Sequence, residues 1–529
     1  MLRIIISRVN MIGTRLRRSM LLAALCAASL LCLATAPAAK AQESLSTDAT
    51  DAEPAAAPSD QLYLPVLSNF SGQPPVCRMG VNVANVPASA FDLAQLHLGW
   101  YIDYKAHVTA PHPNGAAYVP VINLSQVGDS GFTSSPSGAE LDTAIAQNPG
   151  ASWVIGNEPD RRFYQNDMLP KAYANAYHSL YYYIKAKDPS ARIFAGAIVQ
   201  PTPLRLEYLT EVLAHYWEMF GEALPADGWA IHNFILNERS CAYYEGNATL
   251  CWGADIPPGN DAHDGLVITI DELQKTADVA FFEAQVIRFR KWMADNGYHN
   301  LPLYVSEFGI LMPESYGFPP SLVNNYMTKT FDFLINTKDE KLGYAADDNR
   351  LVQRFSWYST VDPSFNGSLF QSTTGAPLSP PFELTSMGEH YRDYAAAVPV
   401  ASGFKLLGFS QQVPVGITAG EGVTLTLKAT VGNAGNNQWP AGATVRFYLG
   451  DPANGGTELG SKAVQMSGCG QTATVEFTWP DVPESAAGQT AYARLLGPGV
   501  DTTMSLQLVR PQENVNIPFL RRAWQLAGQ

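Results

Sequence analysis

Short apolar runs alternate with longer amphipathic ones from about residue 76 onward, the pattern of repeated βα units. The apolar runs predict strands at Met79–Val83, Leu96–Ile102, Tyr118–Asn123, Trp153–Gly156, Ile193–Val199, Gly228–Phe234, Leu303–Ser306 and Phe355–Tyr358. Between them, helical spacing predicts Gly138–Gln147, Leu169–Lys187, Leu204–Gly221, Ala277–Asn296 and Pro320–Asn336. In the second of these helices Tyr173, Ala176, Tyr177, Leu180 and Ile184 form one stripe, read as packing against the sheet. Eight strands with intervening helices fit an α/β fold, a (β/α)₈ TIM barrel with insertions, over residues 76–398. A doubly wound sheet is the rival, but no glycine-rich phosphate loop follows the first strand.

After Ala397 the period changes. Val423-Thr424-Leu425-Thr426-Leu427 and Ala473-Thr474-Val475-Glu476-Phe477 alternate residue by residue and are set off by Gly, Asn and Pro turns. This predicts an all-β, immunoglobulin-like sandwich over 403–510, followed by a tail at 511–529. At the other end, basic Arg15–Arg18, apolar Met20–Ala36 and Ala39-Lys40-Ala41 predict a signal peptide over 1–41. Residues 42–75, rich in Ala, Ser, Thr, Asp and Pro, read as a disordered leader. The alternatives at the N-terminus are an uncleaved anchor, for which the apolar core is short, and lipidation at Cys26, whose preceding residues match a processing box poorly. The expectation is a secreted protein with no membrane insertion after cleavage.

Of 529 residues 46% are hydrophobic and 16% charged, with a net charge of −14. That balance argues against a nucleic acid or an anionic membrane as partner and sets no penalty on a neutral polymer. Cys241 and Cys251 share a Gly- and Tyr-rich loop and predict a local disulfide in an oxidising compartment. Their surroundings do not have zinc-ligand spacing, and no metal or cofactor is expected. Cys469 has no obvious partner in its own module and reads as a free buried thiol.

Two of the predicted strands end in a glutamate. Ala151-Ser-Trp-Val-Ile-Gly-Asn-Glu158-Pro159-Asp160 closes the fourth, and Leu303-Tyr-Val-Ser-Glu307-Phe308 the seventh. Carboxyl groups at the carboxyl ends of parallel strands stand where α/β folds keep their chemistry. A facing pair is what glycoside hydrolysis needs, one group to protonate the leaving oxygen and one to attack or stabilise the sugar carbon.

Asn157-Glu158-Pro159 and Ser306-Glu307-Phe308 resemble the acid/base and nucleophile motifs of glycoside hydrolase clan A, the retaining barrel enzymes. Within it the chain is most similar to the Asl1-like catalytic core, which includes endo-β-1,3-glucanases, also through Gly99-Trp100-Tyr101-Ile102-Asp103-Tyr104 and Tyr118-Val119-Pro120-Val121. The resemblance implies that Glu158 is the general acid/base and Glu307 the nucleophile, with Asn157 on the sugar 2-hydroxyl and Trp357 as the apolar floor. It also implies substrate contacts for Trp100, Tyr101, Asp103, His232 and Asn233. Strand six departs from the clan: Phe234 stands where a tyrosine is usual, which leaves His232 as the candidate to keep Glu307 ionised. The chemistry asks for a raised pKa at Glu158 and an ionised Glu307.

Tyr101, Asp103, Tyr243, Tyr244, Trp252 and Tyr316 fall in or near predicted rim loops suited to stacking on sugars and bonding their hydroxyls. Thr430-Val-Gly-Asn-Ala-Gly435 and Val445-Arg-Phe-Tyr448 resemble CARDB-type modules, which either attach a protein to a cell surface or wall or act as spacers. The expected function is a secreted retaining glycoside hydrolase acting on a neutral polysaccharide, with β-1,3-glucan a candidate. The alternative is a non-catalytic carbohydrate-binding or adhesion protein on a degenerate barrel.

Overall fold

A computed structural model describes residues 75–412, 423–438, 441–466 and 468–509. The predicted signal, the leader up to residue 74 and the tail lie outside them. The first unit is built on β1 (Val76–Asn82), β2 (Leu98–Ile102), β3 (Ala117–Val119), β4 (Val121–Val127), β5 (Gly131–Ser135), β6 (Ser152–Ile155), β7 (Arg192–Ile198), β8 (Gly228–His232), β9 (Leu303–Phe308) and β10 (Arg354–Tyr358). These form one curled sheet in the order β3-β2-β1-β10-β9-β8-β7-β6-β4-β5, parallel except for the β4–β5 hairpin.

All eight expected strands are present, the third in two pieces. Only Pro120 separates β3 from β4, and proline has no N–H for a ladder. Its carbonyl still accepts from Val154 N at 3.0 Å. β3 and β4 are therefore joined through the chain at Pro120 and not by a ladder, so the sheet is curled but does not close into the full (β/α)₈ barrel expected from the strand count.

The helices are α1 (Gly138–Gln147), α2 (Pro170–Lys187), α3 (Pro203–Phe220), α4 (Val279–Asp295), α5 (Pro320–Asn336) and α6 (Ser386–Ala397). Proline at the first turn of α2, α3 and α5 costs no hydrogen bond, since that N–H has no helical partner. The α2 stripe packs as expected: Tyr173 donates to Ile155 O at 2.9 Å and accepts from Gly196 N at 3.0 Å. Pattern reading missed α6, which carries few apolar residues; it starts at the Thr385 cap and buries Met387, Tyr391 and Ala395.

Strand alternation divides the core in two. Tyr101, Ile193, Trp229 and Ile231 face the helices, while Trp100, Phe194, Ala230 and Tyr304 fill a smaller layer within the curl. Gly228 is required there, because a Cβ would stand 2.2 Å from the Phe194 ring.

The second unit consists of two antiparallel sheets. One has β13 (Phe404–Gln412), β14 (Val423–Asn433) and β17 (Thr472–Val482); the other has β15 (Thr444–Leu449), β16 (Thr457–Ala463), β18 (Thr490–Gly497) and β19 (Val500–Gln507). A hairpin of β11 (Phe370–Ser372) and β12 (Phe382–Leu384) precedes them. Leu425, Leu427, Ala429 and Val431 point inward from β14, as the period of two requires.

Cys469 corrects the sequence reading. It is bonded to Cys77, 392 positions away, and joins the second unit to the start of β1. Beside it the buried Arg78 pairs with Asp347 at 2.6 Å and donates to Asn436 Oδ1 at 2.6 Å and Ala434 O at 3.0 Å. The second unit thus seats at the amino ends of the strands. Among the described residues no helix is long and apolar enough to cross a membrane.

Candidate active site

At the opposite, carboxyl ends of the strands, Glu158 follows β6 with φ of 46°, and Glu307 is the penultimate residue of β9. The β8–β9 register sets His232 beside Glu307. One oxygen of each carboxylate and a ring nitrogen of His232 all lie within 4.8 Å of one another. His232 Nδ1 is 3.0 Å from Glu158 Oε1 and 3.7 Å from Glu307 Oε2. All three side chains are buried.

The two glutamates differ in their remaining partners. Arg161 Nη1 donates to Glu158 Oε2 at 3.0 Å, and Arg161 Nη2 donates to Gly253 O at 3.2 Å. Glu307 Oε2 accepts from the Tyr104 hydroxyl at 2.6 Å. Burial pushes Glu158 up, but the charges and hydrogen bonds of Arg161 and His232 outweigh it and hold the carboxyl at about 2. Burial also pushes Glu307 up and the neighbouring Glu158 charge adds to it; against the pull of His232 and Tyr104 it settles at about 7. Burial alone would lower His232, and the two carboxylates raise it. Glu158 is therefore the firmer anion of the pair and Glu307 the one that keeps a proton up to about 7, the reverse of the order expected from the motifs. Arg161 and His232 hold Glu158 down, while burial and the Glu158 charge lift Glu307; the reach of Arg161 is not visible in the sequence.

A Glu-His-Glu set of this size has the donors to ligate a divalent cation. The Arg161 guanidinium on Glu158 opposes a dication at that position.

The other expected site residues divide sharply. Asn157 lies at the site, its N–H bonded to Asn166 Oδ1 at 2.6 Å and its amide donating to Gln165 Oε1 at 3.2 Å. Trp357 is fully buried among Phe308, Tyr326 and Phe331, on the helix-facing side of β10, and donates to Gly367 O at 2.9 Å. It cannot serve as the floor under a sugar. The next residue, Tyr358, points to the other face: burial, then Asp362 and the charge of Glu307 push its pKa well above the ordinary phenol value, and its ring meets Phe234 edge-on.

Trp100 belongs to the inner core against Tyr304, donating to Arg78 O at 3.2 Å near the amino end of β1. Tyr101 is buried toward the helices, its hydroxyl on Pro111 O at 2.8 Å. Asp103 is held by Tyr118 at 2.9 Å and by His107 at 2.8 Å. The Asn233 amide is spent on Phe282 O and Gln285. These four brace the scaffold and make no substrate surface. The single-residue alternation of a strand explains the error at Trp357: it neighbours Tyr358, which turns to the site, and itself faces the helices.

Sequence reading missed Tyr104, Tyr358 and Arg161. Tyr104 had a visible signal, since it ends the aromatic segment after β2 and the absent strand-six tyrosine left a donor to be found. The Cys241–Cys251 disulfide is formed as expected. In the loop it staples, Trp252 is buried, Tyr244 bonds Asp264 at 2.9 Å and Tyr243 stacks on His263 at 3.7 Å.

No family model matches the chain, and no curated protein matches it. Among solved structures, it is similar to an endo-beta-1,3-glucanase from Amycolatopsis mediterranei in complex with laminaritriose, with 16% identity over 60% of this chain and 99% of that one and a TM-score of 0.35. A glucosidase from Croceicoccus marinus shows 10% identity over 77% of this chain and 94% of its own, TM-score 0.39. AbfB, a family 51 alpha-L-arabinofuranosidase from Bifidobacterium longum, shows 12% identity over 77% of this chain and 98% of its own, TM-score 0.35.

Proposed function

We propose that the protein is a secreted retaining glycoside hydrolase that cleaves a neutral polysaccharide, with β-1,3-glucan the first substrate to try. The observation that carries this reading is the pair of buried carboxylates, Glu158 and Glu307, with oxygens within 4.8 Å of each other across His232. Retention needs carboxyl groups about 5–5.5 Å apart, whereas inversion needs roughly 6.5–9.5 Å to admit a water. A curled, mostly parallel sheet that carries both glutamates at the carboxyl ends of its strands supports the reading.

In this mechanism Glu307 attacks the anomeric carbon while Glu158 gives its proton to the leaving oxygen, and Glu158 then takes a proton from the water that releases the sugar. The resting proton lies on the Glu307 side. For Glu158 to act as the acid its Arg161 pair gives way when substrate enters, and His232 Nδ1, 3.0 Å from Glu158, is placed to hand it a proton. Tyr104 supplies the hydrogen bond that stabilises the Glu307 carboxylate once it is ionised. Asn157 and Tyr358 border the sugar.

Reducing-sugar release from soluble β-glucans, xylans and mannans by the full chain tests the reading, beside Glu158→Gln and Glu307→Gln. Turnover of one polymer, lost by about 10²–10⁴-fold or more in each variant, is the expected result. Binding without turnover, unchanged in both variants, would mean a carbohydrate-binding protein.

A further inference from the structure

The loop that follows Glu158 presents a group for which the bond-breaking step has no use. Phe163 stands five residues beyond Glu158, is 64% exposed and has φ of 69°. A bulky residue in that backbone region is strained, and glycine at the same position would not be. An exposed phenylalanine also gains nothing from burial to offset the strain.

The loop is firmly held. Phe163 N donates to Asp167 Oδ2 at 2.9 Å, and Asn166 Oδ1 accepts from Leu124 N and Asn157 N at 3.2 and 2.6 Å. Buried Asp160 pairs with Arg205 at 2.6 Å, and Arg162 donates to Pro257 O at 3.2 Å. Arg161, two residues before Phe163, reaches Glu158 on one side and Gly253 on the other. The backbone on both flanks is fixed, and the phenyl ring is left in water two residues beyond the arginine that bonds Glu158.

We infer that Phe163 is a stacking platform for a pyranose ring of the polymer, at a position removed from the bond that is cut. The apolar face of a sugar covers an aromatic ring well, and a ring carried on a fixed backbone costs the loop little freedom when the sugar arrives. Backbone strain kept at a functional site is the expected companion of such a role. This inference rests on the glycosidase reading and names a binding position within it.

The test compares the full chain with Phe163→Ala and Phe163→Gly on the polymer that is turned over and on an aryl glycoside of the same sugar, which is too short to reach the platform. Both variants should raise KM for the polymer about 3- to 12-fold, the worth of an aromatic stack, and leave aryl glycoside turnover within about twofold. Phe163→Gly should also raise Tm, because it relieves the positive φ; a residue kept for packing would lower it. An unchanged polymer KM, an equal loss on both substrates, or a fall in Tm in both variants overturns the platform. If the wild-type chain turns over none of the polymers, the glycosidase reading fails separately. Migration in gels containing laminarin, xylan or mannan then decides the platform: it stands if Phe163→Ala is retarded less than wild type on one of them, and falls if the two migrate alike.

Discussion

The Tyr104 hydroxyl donates a 2.6 Å hydrogen bond to Oε2 of Glu307, joining the segment after β2 to the end of β9 across 203 positions of sequence. It supplies a hydroxyl donor that Phe234, two residues beyond β8, lacks. The bond favours the ionised carboxylate, so Tyr104 pulls Glu307 down against the burial that lifts it.

Tyr104→Phe keeps the ring and removes only the donor. Glu307, already at about 7, rises further, and a reaction that needs it ionised loses rate on the acid side. The acid limb of the kcat/KM profile should move to higher pH, with a loss of about 10-fold or more below neutrality, as for a hydrogen bond to a charged group worth roughly 1.5–3 kcal/mol. A profile identical to that of the wild type would detach Tyr104 from the chemistry.

Covalent trapping separates the roles of the two glutamates. An activated 2-deoxy-2-fluoro glycoside of the substrate sugar should leave its glycosyl group on Glu307, as read by mass spectrometry of the peptide containing Leu303–Phe308. The resting charges favour Glu158 as the anion, so label on Glu158 would exchange the two roles and make Glu307, at about 7, the acid.

The eight strands and five of the six helices were legible because burial writes itself into period: two for β14, near 3.6 for α2. Both glutamates were legible because an apolar strand stopping at a carboxylate is a local signal. What failed was orientation and reach. Trp357 and Tyr358 are adjacent and equally aromatic, and only the phase of β10 tells which faces the helices. Arg161 reads as an ordinary loop cation, and nothing local shows that its guanidinium returns to Glu158. The Cys77–Cys469 bond could not be read from spacing, because it depends on how two separately folding patterns dock.

Arg161→Gln should change how stability depends on pH. Glu158 sits near 2 when folded, below its ordinary value of 4.5, so its contribution is complete above that ordinary value and is lost as pH falls through about 2. Glu307 runs the other way: raised to about 7, it favours the folded state at low pH, and this is lost as pH rises through about 7. The pair therefore gives most stability near the ordinary carboxylate value of 4.5, falling toward about 2 on one side and toward about 7 on the other. Without Arg161 the Glu158 part weakens, costing on the order of 1–3 kcal/mol near pH 6 and progressively less toward pH 2. Denaturant unfolding at pH 3, 6 and 8 measures this; a uniform loss at all three would mean the ion pair is not its source.

The two disulfides should separate stability from activity. Cys77–Cys469 closes 392 positions and Cys241–Cys251 closes 10, for which chain entropy gives upper bounds of roughly 6 and 3 kcal/mol. Native contacts that hold the second unit in place, Arg78 with Asp347 and with Asn436 among them, survive removal of the long-range bond. They lie at the amino ends of the strands, away from Glu158 and Glu307. Cys77→Ser with Cys469→Ser should therefore give the larger drop in Tm and leave kcat/KM at moderate temperature within about twofold. Cys241→Ser with Cys251→Ser should do the reverse, because the stapled loop carries the Gly253 carbonyl that holds Arg161 against Glu158. Its Tm should fall less while its pH profile shifts, since a less firmly held Arg161 lets Glu158 rise from about 2. Equal Tm losses with unaltered profiles in both double variants would break the link drawn from Cys251 through Gly253 and Arg161 to the carboxylate.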